Sequence, residues 1–198
     1  MPGRDPLGLS ERGRTAYVYA AEVLLALLFM HIRLTKPEWF LGFFARYWTI
    51  IVMLLAFLGA GLSELFQRQK RLALAEPLER TGALLPLLPV LSLWISPSDV
   101  HYSLLLIVVG MFYGALSVAR KSFGFGLLAA IASNGGLWYY LNHLGGYGIL
   151  QHPQLWMIPA ALSVLAAAYL NREQLSERQF VAIRYITITI VYVSSTAD

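Results

Sequence analysis

Long apolar stretches alternate with short polar connectors along the whole chain, and this pattern predicts an all-α membrane protein. Most stretches approach the length of about 20 residues with which a helix crosses a hydrocarbon core of roughly 30 Å. They lack the period-two alternation of membrane β-strands, so helices are favoured over a closed barrel. We predict one polytopic bundle of about seven spanning segments: residues 16–34, 44–66, 82–95, 100–119, 123–144, 155–170 and 180–195.

The third segment is the irregular one. It is short and carries Pro86 and Pro89, each of which removes a backbone donor and interrupts a helix. We expect it to be kinked, partly re-entrant, or extended backward toward Leu78.

Three connectors carry helix-start signals. Residues 96–99 offer an N-cap, a proline and an early acid for the fourth helix. Residues 176–179 have capping-box spacing before the seventh helix. Residues 35–38 have the same spacing, which predicts a short interfacial helix through Trp39 and Phe40.

Composition agrees with a membrane location. The chain is 58% hydrophobic and 13% charged, whereas soluble domains average about 25% charged. It contains no cysteine, which excludes disulfides, thiolate metal sites and Cys nucleophiles. The net charge of +4 is spread over short loops, so we interpret it as a topology signal and expect no nucleic-acid partner.

The basic residues predict the orientation. With the N-terminus inside, the inner segments hold eleven Lys and Arg and the outer segments three, a strong positive-inside bias. All five Trp lie in or near the predicted outer ends, where indole rings favour the interface. We therefore predict a bacterial cytoplasmic membrane protein with a cytoplasmic segment at 1–15 and the bundle at 16–198, its first segment being a retained signal anchor.

The four histidines are the first candidate site. All of them map near the predicted outer boundary: His31, His101, His143 and His152. Imidazoles there could ligate a metal or haem. Their separate positions at helix ends and the lack of ligand spacing favour plain interfacial residues, so we expect no metal and no cofactor.

Small and polar residues in two helices form the second candidate. Asn134, Gly135 and Gly136 lie near the middle of the fifth segment and could expose backbone to a substrate, as in discontinuous transporter helices. The alternative is close helix packing, which is also the expected role of Gly110 and Gly114 in a GxxxG pattern. We favour packing for all of these glycines.

Glu22 and Arg184 form the third candidate. They lie at similar depths in the first and seventh segments and have opposite charge. A charge inside a membrane helix costs about 2.5–3.5 kcal/mol on insertion scales, so it usually finds a partner or an interface. A structural ion pair is favoured, with snorkelling and an ion pathway as alternatives.

Motif patterns give no support for an enzyme. The chain has no Gly-x-Ser-x-Gly, HExxH or P-loop pattern and no Schiff-base lysine in the seventh segment. One weak repeat occurs, Ala-Leu-Ser-Val at 115–118 and again at 161–164, each before a basic connector. Hairpin duplication is one explanation of the repeat and chance is the favoured one.

Three strings resemble stretches of large multi-span bacterial membrane proteins of uncharacterised function. They are Leu78-Glu79-Arg80-Thr81-Gly82-Ala83-Leu84-Leu85-Pro86, His152-Pro153-Gln154-Leu155-Trp156 and Tyr192-Val193-Ser194-Ser195-Thr196-Ala197-Asp198. The resemblance covers most of the chain and implies an N-terminal portion of a longer polytopic protein. It implies no activity and no catalytic residues.

The sequence thus favours a non-enzymatic membrane module that contacts lipid. We expect it to assemble with helices C-terminal to Asp198 or with partner subunits, and we expect the seventh helix to be the one that packs on them. The alternatives are a transporter or channel with its site near Asn134 and the broken third segment, and a metal or haem site on the outer face.

Overall fold

The computed structural model describes residues 11–39, 42, 44–92, 101–145 and 147–196. Within these ranges the chain forms helices joined by short turns and connectors and has no strand, which confirms the all-α prediction. The helices are α1 (Glu11–Thr35), α2 (Pro37–Trp39), α3 (Ala45–Arg68), α4 (Leu72–Leu84), α5 (Leu87–Ser92), α6 (Tyr102–Arg120), α7 (Phe123–Leu144), α8 (Pro153–Leu170) and α9 (Glu177–Thr196), with a 3₁₀ turn at Arg172–Gln174 before α9.

Four of these helices are long and apolar enough to cross a membrane: α1 over Gly13–Thr35, α3 over Arg46–Arg68, α6 and α8. The membrane character of the chain is therefore supported, and a span is supported for four of the seven predicted segments. Helices α7 and α9 have 22 and 20 residues, but polar residues such as Asn134 and Arg184 lower their apolar character. The third segment is divided between two shorter helices.

The chain divides into two compact units, Met1–Asp99 and Val100–Asp198. In unit 1, α3 and α4 form an antiparallel hairpin, and α1 packs on α4. Gly59 and Gly82 lie at the hairpin contact, where a Cβ on Gly59 would lie 3.4 Å from the Gly82 Cα. The Ser63 hydroxyl donates to the Ala75 carbonyl across the same contact, at 3.0 Å. Small residues thus let the two backbones approach closely.

The third predicted segment begins much earlier than its apolar run suggests. Helix α4 starts at Leu72, tolerates Pro77, and ends at Leu84. A turn at Leu85 and Pro86 separates it from α5. The expected backward extension and the interruption at proline are both observed. The helix is interrupted because Pro86 has no N–H to donate to the preceding helical turn.

Unit 2 is an up-and-down arrangement of α6, α7, α8 and α9, with neighbouring helices antiparallel. Its inward positions hold mainly small and aromatic residues, including Phe112, Val109 and Ala168, each exposed by 2% or less. Leu105 and Leu116 are also buried, but most large aliphatic side chains of unit 2 face outward, as expected of helices surrounded by lipid.

The helix-start predictions have mixed outcomes. The capping box before α9 is confirmed, since the Ser176 N–H donates to the Gln179 side chain at 3.0 Å and the Gln179 N–H donates to the Ser176 hydroxyl at 3.3 Å. A short helix follows residue 36, ending at Trp39, as predicted. The predicted cap at 96–99, Trp94 and Phe40 lie outside the described residues.

Candidate functional site

The two ends of unit 2 differ in chemistry. The connections α6–α7 and α8–α9 meet at one end, where Lys121 Nζ lies 3.0 Å from Glu173 Oε2. We call this the basic end, because Arg120, Lys121, Arg172 and Arg178 lie on or beside these connections. The α7–α8 connection lies at the opposite end, which we call the aromatic end.

The aromatic end is built around a pair of stacked indoles. Trp138 and Trp156 have ring centroids 5.9 Å apart and planes 23° apart. Trp138 Nε1 donates to the Trp156 carbonyl at 3.0 Å, and Trp156 Nε1 donates to the Tyr147 carbonyl at 2.8 Å. His152 packs against the Tyr147 ring, with centroids 5.7 Å apart. The sequence predicted a tryptophan belt at this level, but it did not reveal that two of its members stack and fix the connecting loop.

The other three histidines lie at helix ends. His31, His101 and His143 have exposed side chains at helix ends. Among the described residues, no three His, Asp or Glu side chains form a group able to hold a metal ion. The absence of a bound metal stays a prediction.

Asn134 lies on the buried side of a continuous α7, with 5% of its surface exposed. Its Nδ2 donates to the Ala130 carbonyl of the preceding turn at 2.6 Å and to the Ser163 hydroxyl of α8 at 2.7 Å. The Ser163 hydroxyl donates in turn to the Ala160 carbonyl at 2.8 Å. One of these Asn134 bonds therefore lies within α7, and the other joins α7 to α8.

The neighbouring glycines lie at the α6–α7 contact. A Cβ on Gly136 would come within 2.8 Å of the Ser103 carbonyl oxygen on α6, and one on Gly110 would overlap the Ser133 hydroxyl on α7. Gly135 and Gly114 have ordinary surroundings, with nearest atoms at 3.6 Å and 3.9 Å. Gly136 and Gly110 therefore lie where α6 and α7 approach closely, whereas Gly135 and Gly114 do not.

Unit 2 consists of two helical hairpins, α6–α7 and α8–α9. A second polar contact between these hairpins was not identified from the sequence. Asn171, 2% exposed, follows α8 and donates from Nδ2 to the Ser117 hydroxyl of α6 at 2.9 Å. Ser117 and Ser163 occupy the same position of the Ala-Leu-Ser-Val repeat. Each repeat serine thus accepts a hydrogen bond from an asparagine of the other hairpin, Ser117 from Asn171 and Ser163 from Asn134. The Ala-Leu-Ser-Val repeat is the one feature of the sequence that could have pointed to these two hydrogen bonds.

Glu22 and Arg184 belong to different units. In unit 1, Glu22 Oε2 accepts a hydrogen bond from the Thr81 hydroxyl of α4 at 2.8 Å. Glu22 Oε1 is buried and, among the described residues, has no hydrogen-bond partner; the same holds for the Tyr19 hydroxyl one turn earlier. In unit 2, the Arg184 guanidinium lies 5.9 Å from the centre of the Tyr185 ring. The ion pair stays a prediction.

Comparison with known proteins assigns neither a family nor a function. No protein-family model, curated protein or solved structure matches this chain. The described side chains are therefore what bears on function. They supply interhelical hydrogen bonds, close glycine contacts and an aromatic cluster at one end of unit 2.

Proposed function

We propose that this chain is a non-enzymatic helical module of a bacterial cytoplasmic membrane, which assembles with further transmembrane helices or partner subunits. The observation that carries the proposal is the use made of polar side chains within the helices. Asn134, Asn171 and Thr81 each donate a hydrogen bond to another segment of their own unit. Such bonds hold helices together in lipid. A transport path requires polar groups that face solvent instead.

Helix α9 provides the surface for assembly in this proposal. It packs mainly on α8 within unit 2. Much of the rest of its surface is exposed, including the large side chains Tyr185, Ile188 and Tyr192.

The assembly proposal is tested by crosslinking from α9. We expect the variant Ile188→p-benzoylphenylalanine, irradiated in native membranes, to give one discrete protein adduct, because the proposal places a partner helix on this exposed face. Mass spectrometry of the adduct should map the crosslink to a transmembrane segment. The same variant, purified and placed in liposomes, should give lipid adducts only. Lipid adducts alone in both settings would contradict assembly through α9.

We also propose that the basic end of unit 2 faces the cytoplasm and the aromatic end faces outward, with the N-terminus inside. Lys and Arg near inner ends and Trp near interfaces both support this orientation. Because the chain has no cysteine, single cysteines report position without background. In intact cells, Gly148→Cys should react with an impermeant maleimide, whereas Arg178→Cys should react only after lysis. If only Arg178→Cys is labelled in intact cells, the orientation is opposite to the one proposed.

The ion pair between Glu22 and Arg184 is part of the same proposal. Glu22 Oε1 is a buried acceptor with no hydrogen-bond partner among the described residues, and a guanidinium has five donors. Pairing the two groups would satisfy that oxygen and neutralise two charges at membrane depth.

A further inference from the structure

A groove of about 570 Å³ lies at the aromatic end of unit 2, between the end of α7 and the start of α8. The residues that line it include Asn142, Gln151 and Trp156. Small-molecule sites fall in the range of about 300–1,000 Å³, so the space is large enough for one or two sugar rings. The groove is separate from the Asn134 contact and from α9.

The groove has a fixed floor. The Trp156 indole N–H is engaged by the Tyr147 carbonyl at 2.8 Å, and one face of the ring stacks on Trp138. The ring therefore presents a held, flat, apolar surface. Two backbone bonds close the loop, from the N–H of Gln151 and of His152 to the Gly148 carbonyl at 3.0 Å and 2.9 Å. Gly145 begins the loop with φ of 72°, a conformation that glycine adopts without strain.

The lining selects for an uncharged ligand. Among the described residues that line the groove, none is Lys, Arg, Asp or Glu. An anionic or cationic headgroup would therefore find no counter-charge there. Each carboxamide offers both a donor and an acceptor, which suits a ligand rich in hydroxyl groups. A sugar ring adds an apolar C–H face that can stack on an indole.

The rim of the groove is apolar and exposed. Leu150 is 95% exposed, and Ile149 and Tyr147 are also exposed. Such side chains favour the interfacial layer of a bilayer, where lipid headgroups lie. The site is thus placed to meet a headgroup rather than an acyl chain.

We propose that this groove binds a neutral sugar, held by stacking on Trp156 and by hydrogen bonds to Asn142 and Gln151. The sugar can belong to a glycolipid headgroup or to a free saccharide, since both present the same chemistry. The proposal does not depend on assembly through α9 or on the Glu22–Arg184 pair, so it can fail or succeed independently of them.

The test measures retention of labelled monoglucosyl diacylglycerol by the purified full chain in mixed micelles. We expect Asn142→Ala and Gln151→Ala each to weaken binding about three- to tenfold, the value of one hydrogen bond. Trp156→Leu should weaken it about tenfold or more, through loss of the stacking surface. Gln69→Ala is the matched control, because it removes an exposed amide from unit 1 and should leave binding unchanged.

Three further arms complete the experiment. Circular dichroism of each variant reports folding, so the two amide variants keep the test valid if Trp156→Leu unfolds. Competition by free glucose assigns the site to soluble saccharides as well, whereas binding without competition assigns it to lipid-anchored sugar; both outcomes support the proposal. Equal retention of phosphatidylglycerol, no retention of the glycolipid, or binding unaffected by all three groove variants would overturn it.

Discussion

Gly136→Ala is expected to lower the free energy of unfolding by about 1–3 kcal/mol relative to Gly135→Ala, the adjacent substitution in the same helix. A Cβ at Gly136 would lie 2.8 Å from the Ser103 carbonyl oxygen and 3.2 Å from the Ile107 amide nitrogen, both backbone atoms of α6. Backbone cannot rotate away as a side chain can, so α6 and α7 must separate. At Gly135 the nearest atom is Leu106 Cδ1 at 3.6 Å, an ordinary contact.

The adjacent pair makes this a controlled comparison. Both substitutions gain the same helix propensity, about 1 kcal/mol for alanine over glycine. Their difference therefore isolates packing against α6. Reversible unfolding of the two variants in bicelles gives the two free energies. Equal stability would show that α6 and α7 do not approach closely at Gly136.

Glu22→Gln and Arg184→Gln are each expected to lower the free energy of unfolding by about 2 kcal/mol if the two groups pair. Each substitution leaves one charge at membrane depth without its counter-charge, and insertion scales put that cost at about 2.5–3.5 kcal/mol. The double variant removes both charges. Its loss of free energy of unfolding should therefore be smaller than the sum of the two single losses, by about 1–2 kcal/mol.

The exposed pair Lys121–Glu173 is the control for this cycle. Its side chains are 71% and 79% exposed, and Lys121 Nζ and Glu173 Oε2 lie 3.0 Å apart. Solvent screens such a pair, so its coupling should stay below about 1 kcal/mol. Additive losses for Glu22→Gln and Arg184→Gln, as small as in the control cycle, would mean that the two residues are not coupled.

The Gly110–Gly114 pattern shows how far a motif predicts a contact. Both glycines satisfy the same spacing, and the sequence treats them alike. A Cβ on Gly110 would overlap the Ser133 hydroxyl, whereas one on Gly114 would meet only Ala129 Cβ, at an ordinary 3.9 Å. The rotation of α6 about its axis decides which glycine lies at the closest approach, and spacing carries no information on that rotation.

The polar residues show the same limit. The sequence singles out Asn134 because it precedes two glycines near the middle of an apolar segment. Asn171 lies in a connector, where asparagine is ordinary, yet it is 2% exposed and joins two hairpins through Ser117. Its burial results from the packing of the α8–α9 turn beside α6, a contact between residues 54 positions apart.

The sequence by itself determined the helical class, the membrane character of the chain and several helix boundaries. These follow from local physics, since backbone groups in lipid must pair within their own segment and caps depend on residues three positions apart. Tertiary structure alone decided which glycines lie at a close approach, the reciprocal asparagine–serine contacts and the groove beside Trp156. Each of these depends on which faces of distant helices meet, and apolar segments of similar composition do not encode that choice locally.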